Sequence, residues 1–300
     1  MTRDGCDHTA GFELLERGLA RARSENPALS ALFKAFGPLL LERARQRQEA
    51  PGWPGRPLRF DAEAFSQGTF LLSGKGFKDM SESLPEAADR LLPVLARSFP
   101  ALAGEFEALG AALSAGLLSW RDLARAGFGR KASVPGVSSA TLAFAASELV
   151  RPFVERQARD LQDRIRDLPW SRGRCPVCGS APAMSVLRPQ RDSSEFISGH
   201  GGRRFLRCGV CSTEWTHKRV SCPGCGCEEP DELAVLASAD RPFERVDACR
   251  RCRSYVPCLD AGEMVEIPDP DLAALVMLPL ILRAREQGFE AQAELPWTRP

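Results

Sequence analysis

The chain is poor in the features that mark a nucleic-acid surface. It has one tyrosine, Tyr255, and a formal net charge of +1. A nearly neutral protein holds nucleic acid only where its basic residues cluster, and single-strand binders also need aromatic faces for stacking. Long apolar runs are missing too. The longest, near Leu272–Leu282, is too short and too proline-interrupted to span a bilayer. Residues 1–18 are polar and carry no apolar secretory segment, so a cytoplasmic location is expected. Residues 1–170 contain no recognisable catalytic constellation. Ser73-Gly74-Lys75-Gly76 lacks the full phosphate-loop spacing and a preceding strand. His8 and Cys6 lie near the N-terminus and read as incidental.

Cysteine, by contrast, is plentiful and regularly spaced. Eight of the eleven cysteines form four Cys-x-x-Cys pairs: Cys175/Cys178, Cys208/Cys211, Cys222/Cys225 and Cys249/Cys252. Two cysteines three apart in a tight turn can aim both sulfurs at one ion, and a second such turn completes a tetrahedron. Sequential pairing groups Cys175, Cys178, Cys208 and Cys211 as one shell. Cys222, Cys225, Cys249 and Cys252 form the other, and interleaved pairing would need longer connections. Two metal ions per chain are therefore expected. A closed four-sulfur shell leaves no open coordination position, which points to structural or electron-transferring metal and not to hydrolysis. The ligand set alone does not choose between zinc and iron. Free thiolates suit a reducing compartment. Cys227 and Cys258 read as buried thiols near a centre, with alternative ligands as the second reading because Cys225-x-Cys227 is close; His200 and His217 are less favoured substitute ligands.

Cys175-Pro176-Val177-Cys178-Gly179 and Cys222-Pro223-Gly224-Cys225-Gly226 have the form of metal knuckles. Proline stiffens the turn. The closing glycine permits positive φ, from which backbone amides can point at sulfur. Arg172, Arg174, Arg203, Arg204, Arg207, Arg250, Arg251 and Arg253 crowd these turns. They can offset thiolate charge. Arg203, Arg204 and Arg207 are also candidates for partner contacts.

The expected fold class is α+β. An all-helical domain covers 1–170, a first four-cysteine ribbon 171–220, a second 221–262, and a C-terminal helix and tail 263–300 that pack back on the ribbons. Helical stripes run through Leu29, Leu32, Phe33, Phe36, Leu39 and Leu40, with Asn26-Pro27 as cap and first turn. Another begins near Glu86, with Pro93 inside it. A third joins Leu102, Phe106, Leu109, Leu113 and Leu117, and a long one spans 138–167 with a bend at Pro152. Composition shifts at Trp170-Ser171-Arg172-Gly173. Strands are expected at Met184–Arg188, Arg203–Arg207, Glu214–Val220, Leu233–Ser238 and Phe243–Ala248. The link Arg219-Val220-Ser221 is so short that the ribbons should pack together. A final helix starts at Asp269-Pro270 and ends at Gly288.

The cysteine run continues as Cys208-x-x-Cys211-x-x-x-Trp215-x-x-x-Arg219-Val220-x-Cys222-x-x-Cys225, then Cys249-x-x-Cys252-x-x-Tyr255. With the first Cys-x-x-Cys-Gly it resembles the FdhE family, accessory proteins of respiratory formate dehydrogenases. The resemblance covers most of the chain and is carried by the eight cysteine positions; residues 289–300 add no family motif. It implies a helical N-terminal part, rubredoxin-like ribbons, a cytoplasmic location and iron in preference to zinc. It further implies a non-enzymatic maturation factor that contacts the catalytic subunit of a molybdenum-dependent formate dehydrogenase before export. The alternatives are a rubredoxin-like electron carrier acting on that subunit and a zinc-ribbon nucleic-acid module. Tyr255 and Trp215 read better as caps over the metal turns than as stacking faces. Anaerobically purified protein should carry about two ions per chain. Elemental analysis that finds one or none in folded protein would refute the two-shell reading.

Overall fold

The computed structural model describes residues 5–54, 58–189 and 202–298, with side chains from residue 11 onward. In chain order the helices are α1 (Gly5–Glu25), α2 (Ser30–Glu49), α3 (Ala62–Ser66), α4 (Leu84–Ser98), α5 (Ala103–Ser114), α6 (Trp120–Gly127), α7 (Ser139–Gln162), α8 (Pro270–Val276) and α9 (Leu278–Glu286). The strands are β1 (Pro182–Arg188), β2 (Arg203–Cys208), β3 (Glu214–His217), β4 (Leu233–Ser238), β5 (Arg241–Cys249), β6 (Ser254–Asp260) and β7 (Glu290–Ala291). They fall into two compact units. One contains residues 1–55 and 77–160, the other 56–76 and 161–300. The segment 56–76 thus clusters with the cysteine-rich part, although its sequence reads as a continuation of the helical part.

In the first unit the apolar stripes are buried. Phe33, Phe36, Leu39 and Leu40 of α2, Leu91 and Leu95 of α4, Phe106 and Leu109 of α5, and Leu142 and Leu149 of α7 face the core. Asn26 does not cap the following helix. Its Nδ2 donates back to the Ala22 carbonyl at 2.9 Å, and Pro27–Leu29 forms a 3₁₀ turn before α2. Helix α5 stops at Ser114 and the chain turns at Gly116 with φ +71°. Leu117 consequently leaves the stripe on which its spacing places it, and is 72% exposed. Pro93 and Pro152 lie inside α4 and α7 without ending them.

A set of charges crosses this apolar core. Arg43 Nη1 of α2 lies 3.2 Å from Glu148 Oε2 of α7, with side chains 3% and 2% exposed. Arg47 and Arg151 both reach Glu155 at 2.9 Å. A buried ion pair gains little net stability over an apolar pair, but removing one member leaves a desolvated charge. It therefore fixes how α2 registers against α7.

In the second unit six strands run in the order β3-β2-β1-β6-β5-β4, and β7 adds to β6. Strands β1, β2 and β3 pair antiparallel, as do β4, β5 and β6. The two ribbons are joined by parallel pairing of β1 with β6, Ser185 opposite Cys258 and Leu187 opposite Asp260. The two cysteine-bearing ribbons are one continuous sheet. Strand β6 was absent from the sequence expectation, and β3 stops at His217, short of Val220. The expected single C-terminal helix is two. Asp269 Oδ1 caps α8, accepting from Asp271 N at 2.9 Å and Leu272 N at 3.3 Å. Pro279 then starts a second helix after Met277, because a mid-helix proline removes a donor and clashes with the preceding turn. Helix α9 packs on β4 and β5, and Gly288 closes it at φ +76°. No described helix is long and apolar enough to cross a membrane.

Replacing Glu148 by leucine should destabilise the first unit by about 3–5 kcal/mol, because a buried guanidinium loses its counter-charge. Adding Arg43→Met should recover a large part of that loss. Urea unfolding of the single and double variants measures it; equal losses in the two would show that the pair is not coupled.

Candidate metal centres

Four turns aim eight sulfurs into two groups. Cys175, Cys178, Cys208 and Cys211 form one, and Cys222, Cys225, Cys249 and Cys252 the other. Within each group all four Sγ atoms lie within 4.8 Å of one another. Cys175–Cys211, Cys178–Cys208 and Cys178–Cys211 are 3.6, 3.4 and 3.5 Å apart. Cys222–Cys252 and Cys225–Cys249 are 3.5 and 3.7 Å apart. These distances are far too long for disulfides. They are close to the edge of about 3.8 Å expected for a sulfur tetrahedron around a zinc- or iron-sized ion. The donor set fits, and each group could hold one ion. The pairing is the sequential one.

All four turns share a backbone device. The residue after the second cysteine is left-handed: Gly179 (φ +77°), Ser212 (+56°), Gly226 (+73°) and Arg253 (+56°). Two of these are not glycine, so the sequence signature shows at only two of the four turns. The first cysteine's amide then bonds across the turn, Cys175 N to Ser180 O (2.9 Å), Cys208 N to Thr213 O (2.9 Å) and Cys222 N to Cys227 O (2.8 Å). The glycine amides donate to carbonyls and not to sulfur, Gly179 N to Cys175 O and Gly226 N to Cys222 O. In the Cys208 turn the amides do meet sulfur, with Val210 N and Cys211 N at 3.4 and 3.5 Å from Cys208 Sγ. That turn lacks the proline–glycine signature.

The thiols respond to crowding in opposite directions. In the first group burial pushes Cys175 and Cys211 well above the usual thiol range. Cys178, hydrogen-bonded by Cys175, Cys208 and Cys211, is drawn far down. In the second, burial pushes Cys249 up to about 12. Burial also acts on Cys252, but hydrogen bonds from the Ser254 hydroxyl and amide outweigh it and bring it to about 7. One member of each group, Cys178 or Cys252, is thus drawn down, while Cys175, Cys211 and Cys249 are pushed up and keep their protons more firmly. A cation that takes four thiolates must displace those protons, so ion uptake weakens in acid.

The remaining candidates sort clearly. Cys227 and Cys258 are buried thiols outside both groups. Cys227 packs with Cys222 and Cys249, and Cys258 sits at the seam between the ribbons, where burial raises it to about 11. His217 is no ligand; its Nε2 lies 3.1 Å from Ser221 Oγ. His200 lies outside the described residues. Ser73–Gly76 is a turn, with Gly74 and Gly76 both at φ +71°. Trp215 is buried with Nε1 donating to Arg172 O at 3.0 Å, and Tyr255 is buried with its hydroxyl 3.1 Å from Arg285 Nε.

Of the three arginines expected at a partner contact, Arg204 and Arg207 are buried. Arg204 is 2% exposed. It donates from Nη1 to Ser221 O at 2.9 Å, and its Nη2 lies 3.1 Å from Asp247 Oδ2. It ties β2 to the inter-ribbon link and to β5. Arg207 is 7% exposed and pairs with Asp271 at 3.2 Å, tying β2 to α8. Both are internal struts, because their acceptors lie inside this unit. Of the three, only Arg203 remains exposed.

Residues 174–219 match the family described as FdhE, central domain. The chain is 36% identical over 120 residues to a Protein FdhE homolog of Aquifex aeolicus, 40% of each chain. It is 32% identical over 227 residues to a Protein FdhE homolog of Edwardsiella ictaluri, covering 74% of this chain and 63% of that one. The chain therefore spans less than two thirds of the length of these relatives. The fold is similar to the crystal structure of the FdhE protein from Pseudomonas aeruginosa, with a TM-score of 0.62, 20% identity, and coverage of 97% of this chain and 96% of that one.

His217 makes a pH prediction. Burial, with the Arg204 guanidinium beside it, lowers it from 6.5 to about 4. The unfolded chain takes up this proton first, so stability is full above pH 6.5 and is lost as pH falls towards 4. Between pH 7 and 5 this component is on the order of 2 kcal/mol. His217→Gln should remove it, so wild type and variant unfolded in urea at the two pH values should differ in slope. Equal slopes would refute the assignment.

Proposed function

The chain belongs to the FdhE family, and on that premise we propose that it is a non-enzymatic accessory protein for formate dehydrogenase maturation. It acts in the cytoplasm and binds the catalytic subunit before that subunit is complete. The observation that carries this reading is the pair of convergent four-sulfur groups held in one sheet. Four thiolates saturate a tetrahedral ion, so such a centre organises a surface or passes an electron, and does not activate a substrate. Iron is the preferred ion, on the family likeness. The rigid sheet, with α8 and α9 docked onto it, offers a fixed platform for an unfinished partner.

A rubredoxin-like electron carrier is the second reading. It is favoured by the exposure of Cys225 and Cys252, which would bring a redox partner close to the sulfurs. Zinc in place of iron in the native protein would exclude it. A nucleic-acid role loses support from the inward turn of Arg204 and Arg207.

Deleting the gene should abolish or sharply reduce formate dehydrogenase activity while leaving the enzyme's transcript intact. Unchanged activity, with no second copy of the gene, would remove this reading. Arg203→Glu should weaken capture of the catalytic subunit several-fold, mainly through the association rate, with ion content unchanged. Capture at wild-type strength would exclude Arg203 from the contact.

A further inference from the structure

Two turns of the same pattern, Cys-Pro-x-Cys-Gly, meet different surroundings. At the first, Leu71 N donates to Pro176 O at 2.8 Å and Leu72 N to Val177 O at 3.0 Å. The Phe70 ring closes over the turn, 2.6 Å from where a Cβ on residue 179 would stand. At the second, nothing lies within 4 Å of the equivalent point on Gly226. The sulfurs follow suit. Cys175, Cys208 and Cys211 are buried and Cys178 is half-buried, whereas Cys225 and Cys252 are both exposed. A cavity of about 300 Å³ borders the second group from another side, with Cys222 and Cys249 in its lining.

We propose that the two centres have different tasks: the first is a permanent staple, and the second is an exchange site at which an external thiolate replaces Cys225 or Cys252. This rests on the reading that both groups hold ions. The roof explains the first half. Phe70 and the two backbone hydrogen bonds cover the Cys175–Gly179 turn, so a donor approaching from that side must displace them, and only Cys178 of the four is part-exposed. The second half follows from the open edge and from the polar partners there. Ser254 Oγ lies 3.0 Å from Cys252 Sγ, and Gln292 Nε2 is 3.1 Å from Ser254 Oγ and 3.7 Å from Cys222 Sγ. These groups can hydrogen-bond a cysteine sulfur after it leaves the ion. In the exchange the incoming thiolate supplies the electron pair for the new bond as the bond to cysteine sulfur breaks. The released cysteine takes a proton from water, and no group is oxidised or reduced.

The test uses the whole chain loaded with two equivalents of cadmium-113. Each resonance is assigned through its coupling to cysteine β-protons. Elemental analysis comes first: fewer than two ions taken up would overturn the two-ion reading itself, and this proposal with it. The loaded protein is then challenged with dimercaptosuccinate in one arm and a Cys-x-x-Cys peptide in the other. The resonance coupled to Cys225 and Cys252 should decay at least about tenfold faster than the other, a contrast of the size that outer contacts give a metal site. Loss to both probes shows that the edge admits a polypeptide donor; loss to dimercaptosuccinate alone restricts the donor to small thiols. Phe70→Ala should speed loss from the first centre and bring the two rates together. Equal rates in the wild type, faster loss from the first centre, or no transfer to either probe would overturn the proposal.

Discussion

Parallel pairing of β1 with β6 is the constraint on which the second unit depends. Each ribbon alone is three short strands with few apolar residues, too little to support a core. Joined edge to edge they form one sheet, and both cysteine groups become fixed features of it. Arg204 reinforces the junction from the side, bonding the link between the ribbons and pairing with β5. Residues Ser185 and Cys258, which face each other across the seam, are both fully buried. The ribbons therefore cannot swing, which a short linker alone would suggest but not require.

Charge is arranged to suit this architecture. Eight thiolates around two divalent ions leave excess negative charge, and arginines near them can offset it without bonding to sulfur. The charges of Arg204 and Arg207 are instead balanced within the fold, each tied to an aspartate and to a carbonyl. In the first unit Arg43 with Glu148 and Arg47 with Glu155 cross an apolar interface between α2 and α7, and Arg151 joins Glu155 from within α7. In both cases buried charge specifies an arrangement more than it adds stability.

The two centres are alike in sequence and unlike in environment. Their chelating turns repeat the same left-handed residue and the same cross-turn hydrogen bonds. What differs is cover, supplied to the first centre by residues 70–72. That segment lies about a hundred residues upstream of the turn it roofs, and nothing in its composition announces the role.

Local chemistry was readable from the chain. Cysteine spacing names the eight sulfurs, and strand alternation finds β4 to the residue and β1, β2 and β5 within two residues of each end. The Asp269 cap and the apolar stripes of the first unit follow from side-chain type and period alone, because they depend on neighbours a few residues away. Other features needed the folded chain. The β1–β6 pairing joins residues about seventy apart and leaves no local mark. The left-handed Ser212 and Arg253 carry no glycine to betray them. Arginine reads as a surface residue in any sequence, yet Arg204 and Arg207 are struts, because only the fold brings Asp247 and Asp271 within reach. Sequence determined which atoms can hold an ion; tertiary packing decided which of them water can reach, since exposure is set by what distant segments happen to cover.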